Sequence, residues 1–410
     1  MRRIACCIRE GNKQIVMVDT LRGNAYDMVS APVFSSDGSN FAYTVKKGSN
    51  NLLIVNHKQN LMLDASSNIY SIQFSSDNKS LSYILFDGKV YSMVFHGVKG
   101  NSYDAIDENS IVFTKDGSKI AYSAVKNNKQ LIVFEGVEGP MFDKVGFPLL
   151  APEGNRLAYW ASEGNQYFVM CDNKKSAPYE YVYNIVFSNE GGHMAYHASR
   201  NTKHIIVKDG VESEWYQMVH SPTFSPDGSR FVYAIEIVDE KEKENHHYAM
   251  IDGVKNGPYE TVVEGSFIFS DNGKNLAFEI ENDDRFAVVF NGKQQTLYSD
   301  VMQATQIFSP DQNHYAYVAD RLDTKRIVNI DGIESKPYDD AFAVAISPDS
   351  KKYIYSVRLS NKEFVVADGH NGAPYETIFG QGQLIFDGPN SFHYMAMKNN
   401  AIYLVEESFE

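Results

Sequence analysis

Phe224-Ser225-Pro226-Asp227-Gly228-Ser229-Arg230-Phe231-Val232-Tyr233 is the clearest copy of a phrase that runs through the whole chain. Pro presets φ, Asp bonds its own backbone and Gly accepts positive φ, so Pro-Asp-Gly reads as a tight turn. An apolar run enters the turn and an aromatic run leaves it, which makes the phrase two strands joined by a hairpin. Its first residue recurs at Phe34, Phe74, Phe113, Leu150, Phe187, Phe224, Phe269, Phe308, Ile346 and Phe386, at spacings of 37 to 45 residues. A period of that size marks a repeat architecture.

The same copy continues past its second strand. Tyr248-Ala249-Met250-Ile251 reads as a third strand, Asp252-Gly253 as a hairpin turn and Pro258-Tyr259-Glu260-Thr261-Val262 as a short fourth. Four strands in an antiparallel meander form one blade of a β-propeller. An aromatic stands nine residues after the anchor in nine of the ten copies, from Tyr43 to Tyr355, and one residue early at Tyr394. An acid stands three residues after it in eight copies, and a second aromatic marks the fourth strand, as at Tyr103, Tyr259 and Tyr375. The first strand is apolar at successive positions, as in Tyr183-Asn184-Ile185-Val186-Phe187, which predicts a strand covered on both faces. Helical pairs are excluded, since almost no segment has a 3.6-residue period.

The recurrent Ser-Pro-Asp-Gly-Ser turn, the strand ending in Tyr, the apolar third strand and the Asp-Gly that follows resemble the TolB-type, WD-repeat-like β-propeller family over essentially the whole chain. The resemblance implies an all-β propeller. It also implies a role as a binding module or as the non-catalytic part of a peptidase. The chain departs from WD repeats in having no Trp-Asp dipeptide, and it lacks the Ser-x-Asp-x-Gly-x-Thr-Trp box of sialidases.

Ten anchors predict about ten four-stranded antiparallel blades in a single domain spanning residues 1–410. Even spacing and the absence of a Pro-, Gly- or Ser-rich linker favour one closed ring, with two tandem smaller propellers as the alternative. The N-terminus offers second, third and fourth strands near residues 3–8, 14–19 and 25–29, and the C-terminus offers first, second and third strands near 383–386, 392–397 and 401–406. The N-terminal fourth strand could complete the C-terminal blade. That reading gives 42 strands, two more than ten blades need.

Lys and Arg number 38 against 52 Asp and Glu, a net charge of −14, and no basic run occurs. Nucleic acid and membrane surfaces are therefore not expected partners. Three cysteines, Cys6, Cys7 and Cys171, form neither a disulfide framework nor a Cys-x-x-Cys motif. With no apolar run long enough for a signal peptide or a span, the expected location is the cytoplasm.

Catalytic signatures are missing. There is no Gly-x-Ser-x-Gly elbow, no phosphate-binding glycine loop and no cofactor motif, so no cofactor or metal is expected. His193 and His197 sit four residues apart on a strand, about 13 Å, too far to share a zinc ion. The repeated turn acids supply one carboxylate per turn, which suits turn capping rather than calcium.

In a meander, the uniform turns (first to second strand, third to fourth strand) share one end, and the variable loops share the other. Binding is expected at the variable end or the channel mouth. The candidates there are Asp107, Glu108, His220, Glu264 and Gln381, together with Glu240, Glu242, His246 and His247 of the charged insertion at 239–247. The function these features suggest is a non-catalytic scaffold for a protein partner. The alternative is a carbohydrate-active or small-ligand-binding propeller that uses the acids at the channel mouth. Small polar residues three before the anchors, such as Ser110, Asn184, Ser221, Ser266 and Thr305, suit either local hydrogen bonding or a polar channel.

Overall fold

The computed structural model describes residues 3–63, 66–239 and 244–409. Among these residues the chain is all-β apart from two 3-10 turns and one helical turn. It forms eleven antiparallel sheets in chain order, nine with four strand positions and one with three strand positions at each end. The four positions are called here lead, second, third and closing. The architecture is that of propeller blades. Met1–Asn201 with Val207–Glu212 forms one compact unit, and Thr202–Ile206 with Ser213–Glu410 forms another.

Eleven sheets arise where ten anchors were counted because the N-terminal sheet has no lead strand and so no anchor. Its strands are Ala5–Glu10, Lys13–Val18 and Leu21–Tyr26. Met28–Val29, expected to extend the third of these, instead opens the lead strand of the second sheet and pairs with Lys46 and Val45. In the same way Thr261–Val262 leaves the closing strand of the seventh sheet and begins the eighth. The C-terminal sheet keeps three strand positions, and the N-terminal closing strand pairs within its own sheet rather than completing it.

The core lies between successive sheets and is built mostly from second and third strands. Phe278, Tyr315, Tyr317, Leu131 and Leu53 are fully buried there. At six junctions a closing-strand aromatic meets the second-strand aromatic of the following sheet edge-on. Tyr103–Tyr122 (6.2 Å, 79°), Tyr179–Tyr196 (6.0 Å, 70°) and Tyr338–Tyr355 (6.3 Å, 68°) repeat one geometry. T-shaped pairs of this kind add about 0.5–1.5 kcal/mol each beyond burial. The lead strand is less covered than its apolar sequence predicts. Tyr181–Phe187 has no buried residue, whereas the adjacent Met194–Arg200 is buried at all but its last position.

Candidate functional site

The uniform end of the sheets is built from hydrogen bonds that leave little for a ligand. Ser225 Oγ donates to Asp227 Oδ1 at 2.6 Å, and the Arg230 N–H donates to Ser225 Oγ at 2.9 Å. The same pair recurs at Ser35–Asp37, Thr114–Asp116, Ser309–Asp311 and Ser347–Asp349. Hydrogen bonds from Thr114 and Ser118 draw the Asp116 carboxyl down to about 2. These acids cap turns, as their spacing implied. At the neighbouring turn, Arg230 Nε reaches Asp252 at 2.8 Å while Nη1 donates to the Lys274 carbonyl of the next sheet, also at 2.8 Å. Arg3–Asp19, Arg156–Asp172, His193–Asp209 and His314–Asp331 repeat the pairing. His193 is thus engaged by an aspartate, and the buried His197 lies against the Tyr183 ring instead.

At the opposite end the lead strands take different forms. In the third, sixth, seventh and tenth sheets the strand runs seven residues to its anchor through a bulge. Ser71, Asn184 and Ser221 occupy left-handed backbone at three of these bulges. The residue four before each of these anchors is large: Tyr70, Tyr183, His220 and Phe342. In the fourth, eighth and ninth sheets the strand has nine residues and breaks into a tight turn. There a hydroxyl closes the gap. Ser110, Ser266 and Thr305 each donate to the carbonyl three residues back and accept an N–H from the second strand. In these three sheets the small polar residue before the anchor serves local backbone bonding.

The candidate residues fall as follows. Asp107 caps the 3-10 turn Glu108–Ser110 by accepting the Asn109 N–H at 3.0 Å, so its carboxylate is part of the turn. Glu108 is exposed on that turn. The structure brings His220 and Glu264 together, with Nδ1 and Oε1 4.0 Å apart, and the Gly265 N–H donates to Ser221 Oγ at 3.1 Å beside them. His246 and His247 lie on the third strand of the seventh sheet, which extends the hairpin through Asp239 and Glu244. His247 pairs with Glu236 across the sheet, and burial lowers its pKa. Gln381 belongs to the helical turn Phe379–Gly382, but its side chain lies outside the described residues, as do Glu240 and Glu242 entirely.

Two groups were not anticipated. The first is an aromatic run at the variable end of the fifth and sixth sheets. Trp160 and Tyr167 lie 5.7 Å apart, Tyr167 and Tyr181 stack at 5.7 Å, Tyr181 and Tyr183 stack at 6.2 Å, and Tyr183 meets His197 at 4.7 Å. Tyr181 and Tyr183 are 54% and 40% exposed, and Phe147, in the break of the fifth lead strand, is 62% exposed. Gly146 lies flat on the indole, where a Cβ would come within 2.2 Å of Trp160 Nε1. The sequence signal was available, since Tyr181 and Tyr183 share one face of a strand.

The second group surrounds Glu279, a carboxyl only 2% exposed on the second strand of the eighth sheet. Gln303 Nε2 donates to it at 3.2 Å, Gln306 Nε2 donates to its other oxygen, and Tyr315 Oη donates to Gln306. Burial raises its pKa to about 7 despite both amide donors, and Asp300 adds to the rise. Leu276-Ala277-Phe278-Glu279-Ile280 carries an acid within a buried strand, which is the mark that could have singled it out.

Among the described residues no cluster of His, Cys, Asp and Glu could hold a metal ion, and no helix is long and apolar enough to cross a membrane. No family model and no curated protein matches the chain. Solved structures similar to it include TolB from Acinetobacter baumannii, at 15% identity over 65% of this chain and 78% of that one, TM-score 0.27. Oligogalacturonate lyase from Vibrio parahaemolyticus matches at 12% identity over 70% and 96%, TM-score 0.28. The Cps50 (Swd1) β-propeller domain of Myceliophteria thermophila matches at 12% identity over 64% and 96%, TM-score 0.27. Likenesses this slight carry no argument about activity. The propeller-type architecture rests on the antiparallel sheets themselves.

Proposed function

We propose that this chain is a non-catalytic interaction scaffold that grips a protein partner through the variable end of its sheets. The observation that supports this reading is the stacked, half-exposed run Tyr167–Tyr181–Tyr183 beside Trp160. Tyr and Trp dominate the energetics of protein interfaces because they bury much apolar area at little entropic cost while keeping a polar atom for a hydrogen bond. Exposed aromatics anchored on rigid strands are ready for such contact.

The test is equilibrium binding to a co-purifying partner. Tyr181→Ala and Tyr183→Ala should each weaken binding roughly thirtyfold, about 2 kcal/mol, with the circular dichroism of the sheets unchanged. Binding that survives the double variant would defeat the proposal. Parallel tyrosine rings also offer a flat apolar surface for a sugar ring, which is what favours the carbohydrate-binding alternative. Retardation on a polysaccharide gel, abolished by the same variants, would replace the protein partner with a saccharide.

A further inference from the structure

Four of the eleven histidines, His204, His220, His246 and His247, stand at the variable end of the second compact unit, each half-buried. His204 lies at the start of the third strand of the sixth sheet, where its backbone exchanges two hydrogen bonds with Tyr216, at 2.9 and 2.8 Å. Tyr216 leads straight into the lead strand of the seventh sheet, Met218–Phe224, and Lys203 Nζ donates to Gln217 of the same link at 3.3 Å. Other sheets make the corresponding bridge through Gln130, Tyr167, Phe286, Arg326 and Glu363. Among the described residues, then, only this bridge rests on a side chain whose ordinary pKa lies near neutrality. Within the seventh sheet the register sets His220 opposite Ala234 and His247 opposite Glu236. Directly paired residues share a face, as do alternate residues of a strand, so His220, Glu236 and His247 lie on one face. His220 is the common neighbour, since a proton on it opposes one on His204 and one on His247.

Burial is the largest influence on His204 and His247 and lowers the pKa of each below the ordinary 6.5. Glu236 favours the charged form of His247 and His246 opposes it, while Glu264 Oε1 lies 4.0 Å from His220 Nδ1. We propose that the four histidines form a proton-operated catch on the lead strand of the seventh sheet. Uncharged, they leave the link through Tyr216 closed. Charged, they repel one another with only Glu236 and Glu264 to offset them, and the link opens. The sign follows from the depressed folded values. The stability that the catch contributes is present above about pH 6.5 and is lost as pH falls through the folded pKa values of His204 and His247. The seventh sheet thus changes its display in acid whether or not a partner is bound.

Hydrogen exchange of the full chain at about pH 7.5 and about pH 5, corrected for the intrinsic pH dependence of exchange, tests the catch. Protection of residues 216–224 should fall about tenfold in acid, while the bulged lead strand of the tenth sheet, Asp340–Ile346, keeps its protection. His204→Gln and His220→Gln should each remove most of that response, because each takes one charge from the repelling pair. His370→Gln, at an exposed position of the tenth sheet, should leave the response intact. Glu279 acts in the opposite sense, since its contribution grows in acid, so loosening at 216–224 cannot be its effect. Equal protection at the two pH values, a response that persists in the His204→Gln, His220→Gln double variant, or loosening that reaches the tenth lead strand equally would each overturn the proposal.

Discussion

Glu279 and Asp116 are both carboxylates on a repeating scaffold, yet their surroundings drive them in opposite directions. Asp116 stands in water and collects donors, which lowers its pKa. Glu279 stands out of water, and its two amide donors do not offset the desolvation. Its folded pKa of about 7 lies above the ordinary 4.5, so the folded state binds the extra proton. The stability it contributes is fully present below about pH 4.5 and is lost as pH rises through 7, on the order of 3 kcal/mol in all. Glu279→Gln should flatten that slope and raise the melting temperature at pH 8, as a thermal scan at pH 5 and pH 8 would show. Asp227→Ala removes a capped turn and should cost about 1 kcal/mol in urea titration. The turn acids were legible because Asp before Gly has one common use. Glu279 was not weighed, because reading a repeat by its shared residues passes over the residue that differs.

At the scale of the strand, the lead position carries most of what the repeat did not disclose. Its apolar composition suggested burial on both faces, but strand breaks and bulges leave it partly open. Apolar periodicity reports what a strand is made of, whereas a bulge depends on where its partner's hydrogen bonds fall. Strand ends were misplaced for a related reason. Tyr259-Glu260-Thr261 and Tyr26-Asp27-Met28 pass from one sheet to the next with no Gly or Pro at the junction. Ser266 offers a direct test of the broken form. Ser266→Ala leaves the Glu279 N–H without its acceptor in a buried site and should destabilise the fold by about 1–3 kcal/mol. Ser266→Thr, which keeps the hydroxyl, should cost much less in the same denaturation series. The aromatic run is an element-scale feature too, since Tyr181 and Tyr183 come from one sheet while Trp160 and Tyr167 come from its neighbour. Sequence spacing shows the first pair and not their meeting with the second.

At the scale of the molecule, sheets that touch their chain neighbours resemble a one-dimensional array, whose stability is a sum of unit and interface terms. Phe278 is fully buried and packs edge-on against Tyr259 of the preceding sheet. Phe278→Ala should cost about 3–5 kcal/mol. The damage should spread by adjacency, so hydrogen exchange should quicken first in the seventh, eighth and ninth sheets and leave the third near its original rate. Uniform acceleration along the whole chain would show instead that the array unfolds as one body. The two lengths of the lead strand carry a last implication. Seven residues display a large side chain at the variable end, and nine fold that segment into a closed turn. The difference is two residues, and the Ser–Asp turns and Arg–Asp clamps that hold the sheets lie at the far end. In the seven sheets that follow these two forms, a two-residue insertion or deletion separates an open display from a closed turn, so that new binding surfaces can be written onto this backbone one sheet at a time.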